Sequence, residues 1–376
     1  MNYFFLYQTL KAHFSSEAPT HASGESAFGY CSHEFHSQYA MPNSLAGASA
    51  FDIEGSNDAA NNHFSYPIFH PNKEKTSDGC IILLHGLNER SWDKYLPWGY
   101  QLANYTNKTV ILFPIAHHIN RSPKNWGDPR EMADYVRLRK TQAPDVKQLS
   151  VVNVALSERL SDHPERFLLS GYQAANDVLD LVKYIRQGNH PLIKGDAKVD
   201  FFAYSIGSFL AQVMFLAHHD DLLAQSKLFI FCGGCAFEDW QGTSKYIMDS
   251  KAFECLQRYY KEGAAFSSQI LRPIFNETAM GQSFVNLLSV KNLRKRGLGY
   301  YSGLRDRVNA VVLKQDSVAL ADKVKNALKG MQVDEWHFNY DYSHIMPFPI
   351  TSNKLVNQVN EAFDRLMLRA SLLFTT

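Results

Sequence analysis

Five short runs constrain this chain more than any other feature. They are CIILLHG (80–86), TVILFP (109–114), VDFFAYS (199–205), KLFIFCGG (227–234) and NAVVLKQD (309–316). Each is nearly continuous in β-branched, leucine and aromatic residues and stops at turn-forming residues. QVDEWHFNY (332–340) is a weaker sixth. A strand with one wet face alternates apolar with polar residues, so a run without alternation reads as a strand buried on both faces. Helical patterns lie between the runs, at 93–105, 171–188, 205–219, 317–330 and 353–370. The second has Val178, Leu181, Val182 and Ile185 on one face and Gly188 as its stop. The third is apolar almost all round, hence buried. Doubly buried strands alternating with helices predict an α/β fold, with a mostly parallel central sheet and helices on both faces.

Two stretches interrupt the alternation. Residues 115–165 and 236–307 are too long for plain loops, so each is expected to carry helices over the strand ends as a cap or lid. Residues 1–62 read as an N-terminal arm wrapping a body at 63–376. Phe14, Phe28, Tyr30, Phe35, Tyr39 and Phe51 punctuate its Ser-, Ala- and Asn-rich sequence, whereas disordered tails are poor in aromatics. Between Lys11 and Lys73 there is no lysine or arginine, but there are Glu17, Glu25, Glu34, Asp52, Glu54 and Asp58. This pattern suits an acidic arm lying on a basic body, or a homodimer contact.

A net charge of +1 excludes a whole-surface nucleic-acid footprint. No run reaches 18 apolar residues, so no membrane span is expected. MNYFFLYQTLKAHF lacks a basic leader region and a clear cleavage site, which predicts a soluble, cytoplasmic protein. Five cysteines without regular spacing argue against a disulfide framework.

Open parallel sheets bind ligands beyond the carboxyl ends of their strands. The first run ends on His85-Gly86, the third on Ser205 and the fifth on Asp316; the sixth is followed by His344. Ser205 has Ala203 two residues before and Gly207 two residues after, in a strand-to-helix junction. Other Gly-x-Ser strings, at Gly24, Gly47, Gly242 and Gly281, have no buried strand leading in. A helix N-cap serine is the simpler alternative.

Serine, aspartate and histidine in this chain order, each just past a strand, resemble the α/β-hydrolase superfamily over roughly residues 63–370. Ala203 departs by one methyl from the glycine usual there. The resemblance implies Ser205 as nucleophile, His344 as base and Asp316 as the acid that orients it, with no cofactor and no metal. His337 rivals His344 but falls inside the strand pattern. Asp239, beside Glu238, rivals Asp316, and Asp316 also suits a helix N-cap. His85-Gly86 resembles the superfamily's oxyanion turn, which makes the amides of Leu87 and Ile206 the expected oxyanion donors. His85, Gly86, Tyr204, His117 and Trp126 are the expected substrate contacts.

The implied activity is hydrolysis of an ester or similar acyl bond of a small molecule, through an acyl-enzyme. Acyl transfer to an alcohol or amine and a non-catalytic binding protein are the alternatives. Cys232 and Cys235 form a C-x-x-C, but at a strand end and with no second pair to complete a zinc site. The pairs His117-His118 and His218-His219 point apart, so neither chelates a metal alone. The basic stretch 291–307 reads as a solvated helix face or a lure for an anionic substrate.

Overall fold

The computed structural model describes residues 2–14, 20–21, 29–39, 59–71, 76–218, 221–295, 303–350 and 355–376. Much of the acidic segment, His219 and the centre of the basic stretch lie outside them. Among the described residues nine strands form one sheet: β1 (Thr20–His21), β2 (Gly29–His36), β3 (His63–His70), β4 (Ser77–Leu84), β5 (Thr109–Phe113), β6 (Ile193–Tyr204), β7 (Leu228–Phe231), β8 (Val308–Leu313) and β9 (Gln332–Trp336). Their order is β1-β2-β3-β5-β4-β6-β7-β8-β9. From β5 to β9 every neighbouring pair is parallel, and the pairs at the β1, β2 and β3 edge are antiparallel.

All six runs contain a strand, but that of the sixth ends at Trp336, so His337 lies just past the strand and not within it. β4 to β8 are buried on both faces over most of their length, which is why they lack alternation. β2 and β3 carry no such run: β3 contains Pro67, and β2 mixes His33, Glu34 and His36 among its aromatics. Proline is tolerated because β5 pairs with β3 only at Ile68 and Phe69, beyond the missing N–H.

The described part of the first 62 residues packs on the rest. The first helix, α1 (Tyr3–His13), lies with α3 (Leu96–Thr106) and α14 (Val356–Thr375) over one face of the sheet. α2 is the short turn Ala59–Asn62. In β2, Phe35 meets Phe64 and Phe113 at ring separations of 5.3 Å each. The opposite face carries α6 (Arg166–Arg186), α7 (Ile206–His218) and α13 (Ala321–Ala327).

The first long insertion holds α4 (Pro129–Gln142) and α5 (Val154–Asp162). The second holds α8 (Ser250–Lys261), α9 (Ala264–Ser267), α10 (Leu271–Glu277), α11 (Ala279–Leu287) and α12 (Val290–Lys295). Arg139 of α4, 1% exposed, binds Asp249 at the start of α8 through Nε and a terminal nitrogen and reaches Glu158 at 2.9 Å. The two insertions are thereby joined. Among the described residues no helix is long and apolar enough to cross a membrane.

One buried ion pair organises the end of the sheet nearest β2. Arg121 and Asp177 are fully buried and 2.8 Å apart. Arg121 also donates to the carbonyls of Asn61 and Pro114, and Ser37 Oγ donates to Asp177 at 2.6 Å. Strand β2, helix α2, the end of β5 and α6 meet there. Removing one member leaves the other charge buried alone, so Asp177→Asn and Arg121→Met should each cost about 3–5 kcal/mol in urea unfolding. The double substitution should cost less than their sum. Additive losses would show that the pair does not act as a unit.

Candidate active site

The chain crosses from β4 to β5 on one side of β4 and returns as β6 on the other. The crevice beyond such a switch point is where ligands bind in open α/β sheets. It is bounded here by the turn after β4 and the turn after β6.

Ser205 occupies the second turn with φ of +55°, in the left-handed region that non-glycine residues seldom adopt. Its hydroxyl does not cap α7 but lies 2.7 Å from Nε2 of His344. On the other side of the ring, Nδ1 is 2.8 Å and 2.9 Å from the two oxygens of Asp316. Because Nδ1 faces a carboxylate it carries the proton, and Nε2 is left as the acceptor for the serine hydroxyl. Asp316 is buried, and its Oδ1 also accepts from the amides of Val318 (2.8 Å) and Ala319 (2.9 Å). These bonds hold 317–320 as a turn, so α13 begins four residues later than the sequence pattern suggests. Burial, with the Asp316 carboxylate nearby, pushes the Cys232 thiol well up and keeps it protonated.

The rival residues lie elsewhere. Asp239 pairs with Lys323 at 3.2 Å. His337 is exposed and sits 3.2 Å from the Tyr342 hydroxyl. Ala203 is fully buried on the ladder between Leu84 and Ile230, and the turn closes with its methyl in place.

An apolar cavity of about 80 Å³ opens beside the serine turn. Leu87 and Ile206 are on its wall with Leu156, Phe167, Phe209 and Phe284. A smaller one of about 20 Å³ is lined by Ser205, His344, Ile206 and the Cys232–Cys235 turn. His117 lines the larger cavity, as do His118, Arg159 and Arg166.

Four expected substrate contacts are instead turned away from both cavities. His85 accepts the Ile115 amide at Nε2 (2.9 Å) and donates from Nδ1 to the Gly86 carbonyl (2.8 Å), so it joins the ends of β4 and β5. Burial, with His118 next to it, drives its pKa well down. Gly86 gives its N–H to the Tyr95 hydroxyl at 2.9 Å. Tyr204 alternates to the α3 face and donates to the backbone carbonyl of His344. Trp126 lies under the guanidinium groups of Arg159 and Arg90, 4.5 Å and 5.6 Å from its ring centre.

Residues without a motif brace the site. Tyr95 donates to Glu89 Oε1 at 2.7 Å while accepting from Gly86. Burial and the Glu89 carboxylate hold the phenol well above its ordinary value. Lys94 pairs with Glu89 and donates to the Ile345 carbonyl at 3.1 Å, which ties the turn after β4 to the loop carrying His344. Asn88, at φ of +62°, donates to Val152 and Tyr246 carbonyls at 3.0 Å and 2.9 Å, one in each insertion. No sequence spacing announces these braces: Glu89 and Lys94 are five residues apart, outside the i,i+3 and i,i+4 pairs of a helix.

A parallel sheet of this order, with a left-handed serine at the tip of a central strand entering a helix, defines the α/β-hydrolase fold. The chain belongs to the family of unknown function DUF6051, whose sequence model matches residues 1–375. No curated protein matches it. Solved structures similar to it include an S-formylglutathione hydrolase from Agrobacterium tumefaciens, at 12% identity and a TM-score of 0.48, covering 94% of this chain and 97% of that one. A Pyrobaculum calidifontis esterase is 10% identical, with a TM-score of 0.42 and coverage of 99% and 90%. The peroxisomal alpha-beta-hydrolase of Saccharomyces cerevisiae is 11% identical, with a TM-score of 0.42 and coverage of 92% and 91%.

Two outcomes are expected from this geometry. A β-carbon on Gly207 would lie 2.6 Å from the Leu84 carbonyl oxygen and 2.7 Å from that of His85. Gly207→Ala should therefore destabilise the protein by about 3 kcal/mol, the upper end of overpacking, measured by urea unfolding. Ala203→Gly should cost only about 1 kcal/mol.

The second outcome concerns acid. Burial, together with nearby arginines, pulls His118 down to about 3. An unfolded chain protonates its histidines near about 6.5. Between these values the unfolded state holds the extra proton, so stability is complete above about 6.5 and is lost as pH falls towards 3. Between pH 6.5 and pH 5 the His118→Asn variant should lose about 2 kcal/mol less stability than the parent. Equal losses would show that His118 is protonated in the folded state.

Proposed function

We propose that this chain is a serine hydrolase that cleaves an ester or similar acyl bond. The observation that carries this reading is the 2.7 Å contact between Ser205 Oγ and His344 Nε2 on a left-handed turn at the tip of β6. A serine hydroxyl is a weak nucleophile at neutral pH and needs a base within hydrogen-bond reach. His344 takes the proton as Ser205 attacks the acyl carbon, and later gives it to the departing alcohol. Asp316 holds the imidazole in the tautomer that leaves Nε2 open and stabilises the charged form. The amides of Leu87 and Ile206 receive the negative charge that develops on the carbonyl oxygen. Water, activated by the same histidine, then cleaves the acyl-enzyme and restores the serine.

The acyl chain occupies the apolar cavity that begins at Leu87 and Ile206. The two insertions act as the cap. They supply Leu156 and Leu160 from one side and Met280 and Phe284 from the other, and so choose which chain fits.

Labelling by a fluorophosphonate probe should be abolished in Ser205→Ala, and persistent labelling would remove Ser205 from the mechanism. Asp316→Asn should lower kcat by roughly 10⁴. On p-nitrophenyl esters of increasing length, activity should peak at short to medium chains, and Phe284→Ala should move the peak to longer ones. An unmoved peak would place the acyl chain elsewhere.

A further inference from the structure

Three side chains at the far edge of the sheet form a cluster that the proposed chemistry does not use. In the antiparallel ladder of β2 and β3, His36 stands directly opposite His63, and Glu34 is two residues back on the same face. All three are exposed. The imidazole rings lie nearly parallel, 15° apart, with centres 4.0 Å from each other. His63 Nε2 is 3.3 Å from Glu34 Oε2, and one donor atom from each residue falls within 4.8 Å of the other two.

We propose that Glu34, His36 and His63 bind one divalent cation of the zinc class, as a staple across the β2–β3 ladder. Two imidazole nitrogens and a carboxylate oxygen are a donor set that zinc takes readily, with a fourth position left for water. Bonds of about 2.0–2.1 Å place the corners of a tetrahedron about 3.3–3.4 Å apart. Glu34 and His63 already have that separation. The ladder fixes the backbones, so the His36 donor, within 4.8 Å of the other two, is to be brought to the third corner by side-chain rotation.

The electrostatic setting agrees. Neither strand carries a lysine or arginine, because the whole stretch between Lys11 and Lys73 has none. The groove that His63 and Ser65 border also holds Asp93 and Lys124; Asp93 is engaged by Lys11 at 2.7 Å.

The spacing of the three residues gave no hint of this in the sequence. Glu34 and His36 lie two apart, but His63 is brought to them only by the register of β3.

The site is separate from the serine. β2 is four strands from β6, about 19 Å at the usual strand spacing. The proposal therefore stands or falls independently of the hydrolase reading.

The test is titration of the chelator-treated full chain with zinc alone, followed by calorimetry and by thermal unfolding. One zinc per chain should bind, and saturating zinc should raise Tm. His36→Ala, His63→Ala and Glu34→Gln should each weaken binding tenfold or more, and His36→Ala/His63→Ala should abolish the Tm rise. His13→Ala, which removes an exposed histidine on α1, should bind as the parent does. Magnesium, which prefers oxygen ligands, should not compete at equal concentration. Failure to bind zinc at millimolar concentration would overturn the proposal, as would unchanged affinity in the double variant.

Discussion

The close approach of α7 to the carboxyl end of β4 is the constraint on which the site depends. Gly207 lies against the carbonyls of Leu84 and His85 with no room for a β-carbon. On its other side the helix presses on the turn after β7. A β-carbon on Gly233 would meet Ser208 Oγ at 2.0 Å and the Ser205 carbonyl at 2.9 Å. The first turn of α7 is therefore wedged between two strand ends by small residues on both flanks. A helix held so tightly leaves its preceding residue little choice of backbone. Ser205 takes the left-handed conformation because neither side can yield, and packing around it outweighs the local cost.

The wedge fixes the serine but not the loop of His344 or the turn after β4. Their backbones are held by polar bonds to buried and half-buried side chains. Lys94 and Tyr204 each take a carbonyl from the loop of His344 and Ile345, while Tyr95 holds the Gly86 amide. Glu89 joins Lys94 to Tyr95. Both loops thus refer to a common set of groups at the α3 end of the sheet. Tyr95 and Tyr204 are buried and Glu89 and Lys94 are half-buried, so losing one of these bonds costs more than at an exposed surface.

The strands of the central sheet were legible because burial on both faces removes polar residues from the run, whatever the details of packing. The positions of Ser205, Asp316 and His344, each just past such a run, were legible in the same way, and the fold brings the three side chains together. β2 and β3 were not, because an edge hairpin mixes polar and aromatic residues, and its identity comes from pairing across a gap in the sequence. Four of the five expected substrate contacts line neither cavity, for a related reason. A residue at a strand end belongs to one face or the other, and position alone does not say which. Tyr204 alternates away from Ala203 and so goes to the α3 face. His85 is consumed by hydrogen bonds at both ring nitrogens, and Trp126 by two arginines. A motif identifies where chemistry is placed; the surrounding packing decides which neighbours reach it.

Asn88 shows how the variable and constant parts of this molecule meet. It lies in the turn after β4, one residue past Leu87, and its left-handed backbone is part of that turn. Its side chain amide reaches a carbonyl from each insertion, and its oxygen accepts from Arg90, which lies over Trp126. The insertions are bound to each other through Arg139 and Asp249. A shift in the insertions therefore cannot leave the turn after β4 untouched, since the same amide would lose one or both acceptors. Residues that shape the cavity and the amide that borders it form one mechanical unit. Changes of cavity lining far from Ser205 should then alter the geometry at Leu87 as well as the space available, so that the shape of the cavity and the shape of the turn after β4 are not separable properties of this fold.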